Sequence, residues 1–265
     1  MTTPDLPPPP PNLTMEQYEA LFPHATVPLP NGQRVIYFTP SKITLWRAQT
    51  LFRKEPDTIE WLSGFDSADV FVDIGANVGM YSILAACLRR CQVFAFEPEA
   101  QNFAVLNRNI IVNKLSGRVV AFPIALYDRT KVDRLFNNSS EAGNSHNSFS
   151  ERVDMHLQPT THRFEQGAVS ISLDELIAQG AISSPNHVKI DVDGLEHKIV
   201  SGMAKTLRDP NLRSVLIELN TNVVEHRDIV GVMAEAGFHY YEEQVQKARR
   251  KEGPHVGIGN YIFKR

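Results

Sequence analysis

The sequence predicts an α/β fold in which a mostly parallel, Rossmann-like sheet carries helices on both faces. Five apolar runs predict strands, and they lie at 69–75, 92–98, 119–126, 187–192 and 214–219. The runs are continuous rather than alternating, which is typical of parallel strands buried on both faces. Helical stretches at 80–90 and 101–114 follow the first two runs and supply crossover connections. The last two segments, 238–244 and 259–265, predict an antiparallel C-terminal hairpin at the sheet edge, which makes seven strands.

The chain ahead of the sheet is predicted to contain a tail and an extension. Residues 1–14 are predicted to be a proline-rich tail, because five consecutive prolines favour polyproline II and cannot join a packed core. Residues 15–66 predict an extension with a short helix, a strand and two helices that are separated at Pro56. The main domain then spans 67–265, and its polar segment 137–167 is either functional or mobile.

Composition excludes several classes of protein. The chain of 265 residues has a formal net charge of -3, so no overall attraction to nucleic acid or to an anionic membrane is expected. The basic run at 247–251 is interpreted as a solvated loop. Cys87 and Cys91 lack the further ligands of a zinc site and are predicted to be free thiols. No signal segment and no apolar run of about 18 residues is present, so a cytoplasmic protein is expected.

A glycine loop follows the first strand of the sheet, in FVDIGANVGMYS at 71–82. A dinucleotide fingerprint would need a glycine where Asn77 stands, and Gly79 comes one residue too early for it. A P-loop would need lysine in place of Met80. Asparagine tolerates left-handed backbone better than other non-glycine residues, so Asn77 can keep the turn and add an amide. Both phosphate-binding interpretations are therefore weakened.

The second strand ends in a carboxylate, Glu97, which lies 22 positions after Gly75. An acidic residue about 20 positions after such a loop suits the diol of a ribose. The spacing therefore predicts a nucleoside-bearing ligand without a strong phosphate requirement, and a sulfonium nucleoside would suit the acidic loop. The alternative is a tight turn that serves packing alone.

At this point the sequence resembles the FkbM-type family of S-adenosylmethionine-dependent methyltransferases. The matching segments are RKEPDTIEWL, VDIGANVGMYS, AFEPEAQNFAVLNRNI, ALYD, SLDEL and VKIDVDGLEHKIVSGM, in order within 53–203. The resemblance implies a class I methyltransferase fold with a seven-stranded sheet and a reversed final strand. It also implies methyl transfer from S-adenosyl-L-methionine, with S-adenosyl-L-homocysteine as product, to a hydroxyl of a sugar, a polyketide or a similar small metabolite.

The resemblance also implies the residues of the cofactor site. Glu97 would hold the ribose, with Pro98 behind it, and Ala125 and Leu126 would flank the adenine. The residues implied at the amino-acid and sulfonium end are Asp73, Gly75, Ala76, Asn77, Gly79 and Tyr81, together with Asp191 from the fourth strand. The family's Asn- and Ser-rich turn is matched only loosely by GNSHNSFS at 143–150.

The fourth strand carries the predicted catalytic groups. Lys189, Asp191 and Asp193 share one parity, so they are expected to point the same way as the strand reaches the site. Asp191 would accept the proton of an attacking hydroxyl or orient that hydroxyl, and Lys189 would lower the pKa of Asp191. Glu196 is either a further catalytic group or, with Asp193, part of a helix capping box. Glu218 is expected to contact the acceptor, and no metal is predicted.

Three functions remain open from the sequence. The first is a small-molecule O-methyltransferase, and the second is a catalytically silent methyltransferase fold that acts as a binding or scaffold protein. The third, a nicotinamide dehydrogenase, disagrees with the glycine spacing. Nucleic acid and membranes are not expected as partners, and the sequence predicts neither an oligomeric state nor a specific acceptor.

Overall fold

The computed structural model describes residues 13–250, 252–253 and 256–265. The N-terminal part contains α1 (Met15–Ala20), β1 (His24–Pro28), β2 (Arg34–Phe38), α2 (Lys42–Lys54) and α3 (Pro56–Ser63). Next come β3 (Val70–Ile74), α4 (Met80–Leu88), β4 (Gln92–Phe96), α5 (Ala100–Val112), β5 (Val119–Phe122), β6 (Ala125–Leu126), β7 (Lys131–Asn137), β8 (Ser148–Phe149) and β9 (Phe164–Ile171). The C-terminal part contains α6 (Leu173–Ala178), β10 (His187–Ile190), α7 (Glu196–Ser201), β11 (Ser214–Asn220), α8 (Val224–Glu235), α9 (Glu242–Ala248) and β12 (Ile258–Lys264).

The central sheet has six strands in the order β12, β11, β10, β3, β4, β5. Neighbouring strands are parallel except β12, which runs antiparallel to β11. The chain builds outward from β3 through β4 to β5 and then returns to β10 on the other side of β3. The strand order therefore reverses between β3 and β10, where ligands bind in open α/β sheets.

Two hydrophobic cores cover the two faces of this sheet, as the continuous apolar runs predict. Phe71 and Val93 belong to the core that also contains side chains from α2, α3, α4 and α5. Their chain neighbours Val72 and Phe94 belong to the opposite core, which contains side chains from α6, α7 and α8. This alternation is the period of two that a strand imposes, with both faces buried.

The N-terminal extension packs onto the main domain. The expected short helix, strand and paired helices are present, and Pro56 is the first residue of α3. Strand β1 was not predicted from the sequence, and it forms an antiparallel hairpin with β2. The hairpin lies on α5, because the backbone N–H of Phe38 donates to Asn109 at 2.7 Å and that of Ile36 donates to Asn113 at 2.9 Å. Of the predicted tail, residues 1–12 lie outside the described residues.

The predicted C-terminal hairpin is wrong in its first strand, so the count of seven strands is not met in the described part of the chain. His239 makes a single antiparallel bridge to Lys264, and α9 then begins at Glu242. Glu242 and Glu243 lie in the first turn of α9, where carboxylates interact favourably with the helix dipole. Tyr240 packs edge-on against Tyr261 with ring centroids 5.1 Å apart.

The predicted third strand is two strands that belong to different sheets. Pro123, which has no backbone N–H to donate, follows β5, and β6 pairs with β9 in a second, four-stranded sheet. This sheet has the order β6, β9, β7, β8. It takes β8 and the adjoining ends of β7 and β9 from the polar segment 137–167, for which the sequence predicted no strands. None of the described helices is long and apolar enough to span a membrane.

Candidate active site

A cavity of about 440 Å³ opens at the point where the strand order reverses. Ile74 and Gly75 at the end of β3, Phe96 and Glu97 at the end of β4, and Asp191 after β10 line its floor. The volume is within the usual range of roughly 300–1,000 Å³ for small-molecule sites. Of the residues predicted for the cofactor site, those that line the cavity are Gly75, Asn77, Glu97, Pro98, Ala125, Leu126 and Asp191.

The glycine loop is held tightly against the neighbouring strands. Gly75 has φ +75°, and a Cβ atom there would lie 1.9 Å from the carbonyl oxygen of Asp191, so only glycine fits. Asn77 adopts the expected left-handed conformation with φ 51°. Gly79 has φ +81° and precedes the first residue of α4, while Ala76 is buried in the core. Gly79 and Ala76 therefore shape the loop without lining the cavity.

Glu97 joins the loop to the second strand. One carboxylate oxygen accepts the backbone N–H of Asn77 at 2.8 Å, and the other accepts that of Glu99 at 2.9 Å. Burial raises the pKa of Glu97 to about 7, although these two N–H groups act in the opposite direction. The carboxyl group is therefore fixed in place at the cavity, and it gains or loses its proton near neutral pH.

The Asn- and Ser-rich turn lies across the glycine loop. The side-chain amide of Asn77 donates to the carbonyl of Asn144 at 2.7 Å, and Asn102 donates to the same oxygen at 3.1 Å. The backbone N–H of Gly143 donates back to Asn102 at 2.7 Å. Ser145, His146, Asn147 and Phe149 of this turn line the cavity. The sequence match to the family was loose here, but the turn is part of the site.

Asp191 and Lys189 form a buried ion pair at the end of β10. Their Oδ2 and Nζ atoms lie 2.7 Å apart, and only 2% of the Lys189 side chain is exposed. Burial alone would raise the pKa of Asp191, but Lys189 and then Lys54 lower it to about 2. Burial likewise opposes the charge of Lys189, yet the carboxylates of Asp191, Asp73 and Glu55 raise its pKa. Asp191 faces the cavity, whereas Lys189 lies behind it.

Further groups behind the cavity support this pair. The Nζ of Lys189 lies 5.4 Å from the ring centroid of Tyr81, and the Tyr81 hydroxyl donates to Glu55 at 2.8 Å. Asp73 accepts the hydroxyl of Ser82 at 2.5 Å, and burial raises the pKa of Asp73. The other oxygen of Asp73 is buried without a hydrogen-bond partner in the described chain. Asp73 and Tyr81 do not line the cavity.

The capping-box interpretation of Asp193 and Glu196 is wrong. Asp193 has φ 60° and its carboxylate accepts the backbone N–H of His146 at 2.7 Å, so it ties the turn to the site and does not cap α7. The left-handed backbone also ends the strand parity that Asp193 was expected to share with Asp191. Glu196 is buried, accepts the backbone N–H groups of Val192 and Gly194, and pairs with His226 at 3.1 Å. Glu196 does not line the cavity.

Several cavity residues had no clear signal in the sequence. Trp46, Arg47 and Lys54 come from α2, and Arg250 comes from the basic run that was interpreted as a solvated loop. Arg250 pairs at 2.8 Å with Glu218, which also lines the cavity. Burial raises the pKa of Glu218, and the negative charge of Asp191 raises it further. Arg47 and Lys54 are seven residues apart in α2, so they lie on the same face of the helix. This spacing was the one feature of the sequence that could have linked them to a common site. Among the described residues, no cluster of His, Cys, Asp or Glu is suited to hold a metal ion.

The cavity fits a sulfonium nucleoside on three structural grounds. Gly75 packs directly against the backbone of Asp191, which brings the glycine loop and Asp191 together at the cavity. Glu97 presents a fixed carboxyl group that suits a ribose diol. Asp191 stays ionised at the cavity and suits a positive charge.

Comparisons with known proteins identify the family. A sequence profile described as the methyltransferase FkbM domain matches residues 73–240. The chain belongs to the FkbM methyltransferase family. It is therefore a methyltransferase, and the resemblance inferred from the motifs is confirmed.

Curated relatives of this FkbM-family chain extend over most of its length. The hexuronic acid methyltransferase AglP of Haloferax volcanii is 29% identical over 214 residues, which cover 80% of this chain and 80% of that protein. The 31-O-demethyl-FK506 methyltransferase FkbM of Streptomyces tacrolimicus is 27% identical over 243 residues, 83% of this chain and 90% of that protein. The crystal structure of a methyltransferase FkbM from Methylobacillus flagellatus matches with a TM-score of 0.50 and 13% identity. That match covers 76% of this chain and 44% of the other, and it supports the class I methyltransferase fold alone.

Proposed function

We propose that this protein transfers a methyl group from S-adenosylmethionine to a hydroxyl oxygen of a small acceptor, and that the acceptor is a sugar or a polyketide-like metabolite. The observation that carries the proposal is the convergence of Gly75, Glu97 and Asp191 on one cavity in a chain of the FkbM family. The two curated relatives support the acceptor class, because one is named for a hexuronic acid and the other for 31-O-demethyl-FK506.

In this proposal, the cofactor extends through the cavity from Ala125 at one end to Asp191 at the other. Ala125 and Leu126 flank the adenine, Glu97 accepts hydrogen bonds from the ribose hydroxyls, and the glycine loop with Asn77 supports the amino-acid end. Asp191 lies near the sulfonium. Asp73, Tyr81 and Lys189 act from behind the cavity, where their buried charges and hydrogen bonds fix the position of Asp191.

The bound cofactor supplies an activated methyl group, so the protein has mainly to orient the acceptor. Asp191 is ionised because its pKa is about 2, which makes it a weak base and a strong hydrogen-bond acceptor for the reacting hydroxyl. Glu218 at the cavity is more basic than Asp191, since burial raises its pKa, and it is suited to receive the hydroxyl proton. Alignment of hydroxyl and methyl donor contributes on the order of 7–11 kcal/mol to such reactions.

Turnover by the purified protein tests this proposal. S-adenosylmethionine is supplied with three acceptors, a hexuronic acid glycoside, the matching hexose glycoside and a hydroxylated macrolide, and methylated products are measured by mass spectrometry. We expect a methyl ether on at least one of them. With that acceptor, Asp191→Asn should lower kcat about 100-fold or more, because Asp191 orients the reacting hydroxyl and a misplacement of about 1 Å can cost that much. A melting temperature in each case shows that the variant is folded.

The scaffold alternative predicts the opposite result, which is binding without turnover. A catalytically silent protein would bind S-adenosylhomocysteine and give no product with any acceptor. Full turnover in Asp191→Asn would instead reject the role proposed for Asp191 while leaving the methyltransferase assignment intact.

A further inference from the structure

Arg47 has a position that neither the family motifs nor the comparisons explain. It belongs to α2 in the N-terminal extension, outside the matched residues 73–240, and it lines the cavity. Its side chain is half-buried. A guanidinium group in a ligand cavity, contributed by an element outside the matched residues 73–240, points to a specific ligand group.

Arg47 differs in its partners from the other cations that line the cavity or lie behind it. Lys54 pairs with Glu55 at 2.6 Å, Lys189 with Asp191 at 2.7 Å and Arg250 with Glu218 at 2.8 Å. Within the described ranges, Arg47 has no carboxylate at ion-pair distance, and its Nε donates to the carbonyl of Gly143 at 2.8 Å. A guanidinium has five N–H donors, so most of its hydrogen-bonding capacity remains for a ligand.

The backbone of the turn places Arg47 next to the glycine loop. Arg47 binds the carbonyl of Gly143, and Asn77 binds the next carbonyl along the chain, that of Asn144. The two side chains therefore bind adjacent peptide groups of the same turn. Arg47 is therefore beside the part of the loop where the amino-acid end of the cofactor is proposed to lie.

The charges of the cavity explain why a cation is needed there. Asp191, Asp193, Glu97 and Glu218 all line the cavity. These carboxyl groups suit the sulfonium and ammonium of S-adenosylmethionine, but they would repel its carboxylate. A guanidinium binds a carboxylate with two parallel hydrogen bonds, a geometry that lysine cannot match.

We propose that Arg47 binds the α-carboxylate of the cofactor, so that the N-terminal extension completes the cofactor site. The inference rests on the proposed function, because it takes S-adenosylmethionine as the ligand. It goes beyond that function in assigning a specific group of the ligand to a residue of α2.

Equilibrium binding of a matched ligand pair tests the assignment without any turnover. S-adenosylhomocysteine and its decarboxylated analogue, which keeps the ammonium, are titrated calorimetrically into the full-length protein and into Arg47→Gln. We expect the unaltered protein to prefer S-adenosylhomocysteine about 10-fold to 100-fold, the usual effect of a hydrogen-bonded charge. Arg47→Gln should lose most of this preference and bind the decarboxylated analogue as before, and Arg47→Lys should recover part of it.

The control is Arg53→Gln, which removes the same charge from an exposed position on the same helix. This variant should keep the full preference. Equal weakening of both ligands in Arg47→Gln would overturn the proposal, because it would indicate a structural role through Gly143. An unchanged preference in Arg47→Gln would also overturn it, because the carboxylate would then be bound by another group.

The same titrations separate failure of this inference from failure of the proposed function. If the unaltered protein binds neither ligand, the methyltransferase chemistry and the role of Arg47 are both rejected. If it binds both ligands with the same affinity, the role of Arg47 alone is rejected.

Discussion

Glu97 shows most clearly how single residues define this site. Its two carboxylate oxygens each accept a backbone N–H, one from the glycine loop and one from the start of α5. These bonds fix the direction of the carboxyl group, while burial raises its pKa to about 7. The residue therefore holds a defined geometry and changes its charge in the physiological pH range.

Cofactor affinity should depend on pH through Glu97. In the proposed site the ionised carboxylate would accept hydrogen bonds from both ribose hydroxyls, whereas a protonated carboxyl group has less capacity to accept. Because ionisation increases as pH rises through about 7, affinity for S-adenosylhomocysteine should rise about tenfold between pH 6 and pH 8.

Calorimetric titrations at the two pH values measure this effect. In Glu97→Gln the affinity should be lower and nearly independent of pH, since the amide does not titrate in this range. The same tenfold rise in Glu97→Gln would show that another group is responsible.

Residues differ in how far the sequence could predict them. Asn77 and Glu97 were predictable, because a left-handed position and a spacing of about 20 residues are local properties of the chain. Arg47 was not predictable in its role, because its partner Gly143 is 96 positions away. Glu196 was predicted as either a catalytic group or a cap, and its pairing with His226 depends on how α7 packs against α8.

Trp61 is the aromatic side chain with which helix α3 packs against the sheet, beside a hydrogen bond from Asn260 of β12 to Thr58. Trp61 is 5% exposed, and its indole N–H donates to Ser214 on β11 at 2.8 Å. Its ring packs edge-on against Phe65 and Phe71, with centroids 4.8 Å and 5.7 Å away. The edge-to-face geometry and the satisfied N–H are typical of a well-packed buried tryptophan.

The two tryptophans of the chain should respond differently to truncation. Trp61→Ala should lower the free energy of unfolding by about 3–5 kcal/mol, because it leaves a cavity and removes the hydrogen bond to Ser214. Trp46 is 46% exposed at the cavity, so Trp46→Ala should change stability by no more than about 0.5 kcal/mol.

Urea unfolding of both variants, followed by circular dichroism, measures the difference. Equal losses would contradict the view that Trp61 carries the attachment of α3.

At the scale of elements, prediction succeeded where the hydrophobic pattern is continuous. The strands that became β3, β4, β10 and β11 were located within one or two residues, because burial on both faces leaves a clear apolar run. The second sheet was missed because β9 is mostly exposed or half-buried along its length and lacks such a run. The last predicted hairpin failed at α9, where two glutamates favour the start of a helix over a strand.

The whole molecule is built so that its two parts meet at the cavity. Trp46, Arg47 and Lys54 come from the N-terminal extension, while the cavity floor comes from the strands of the main domain. The hydrophobic core that contains Phe71 and Val93 also contains side chains from both parts. The predicted boundary at residues 66 and 67 stays a prediction, but the candidate site needs residues from either side of it.

Binding of S-adenosylhomocysteine to the unaltered, full-length protein tests the central claim most directly. Calorimetry should show micromolar binding, and at a ligand concentration of 100 times Kd the ligand should stabilise the fold by about 2.7 kcal/mol. NAD at the same concentration should produce neither heat nor stabilisation, because the loop lacks the dinucleotide spacing. Absence of S-adenosylhomocysteine binding, or equal stabilisation by NAD, would contradict the assignment of this cavity as a methyltransferase cofactor site.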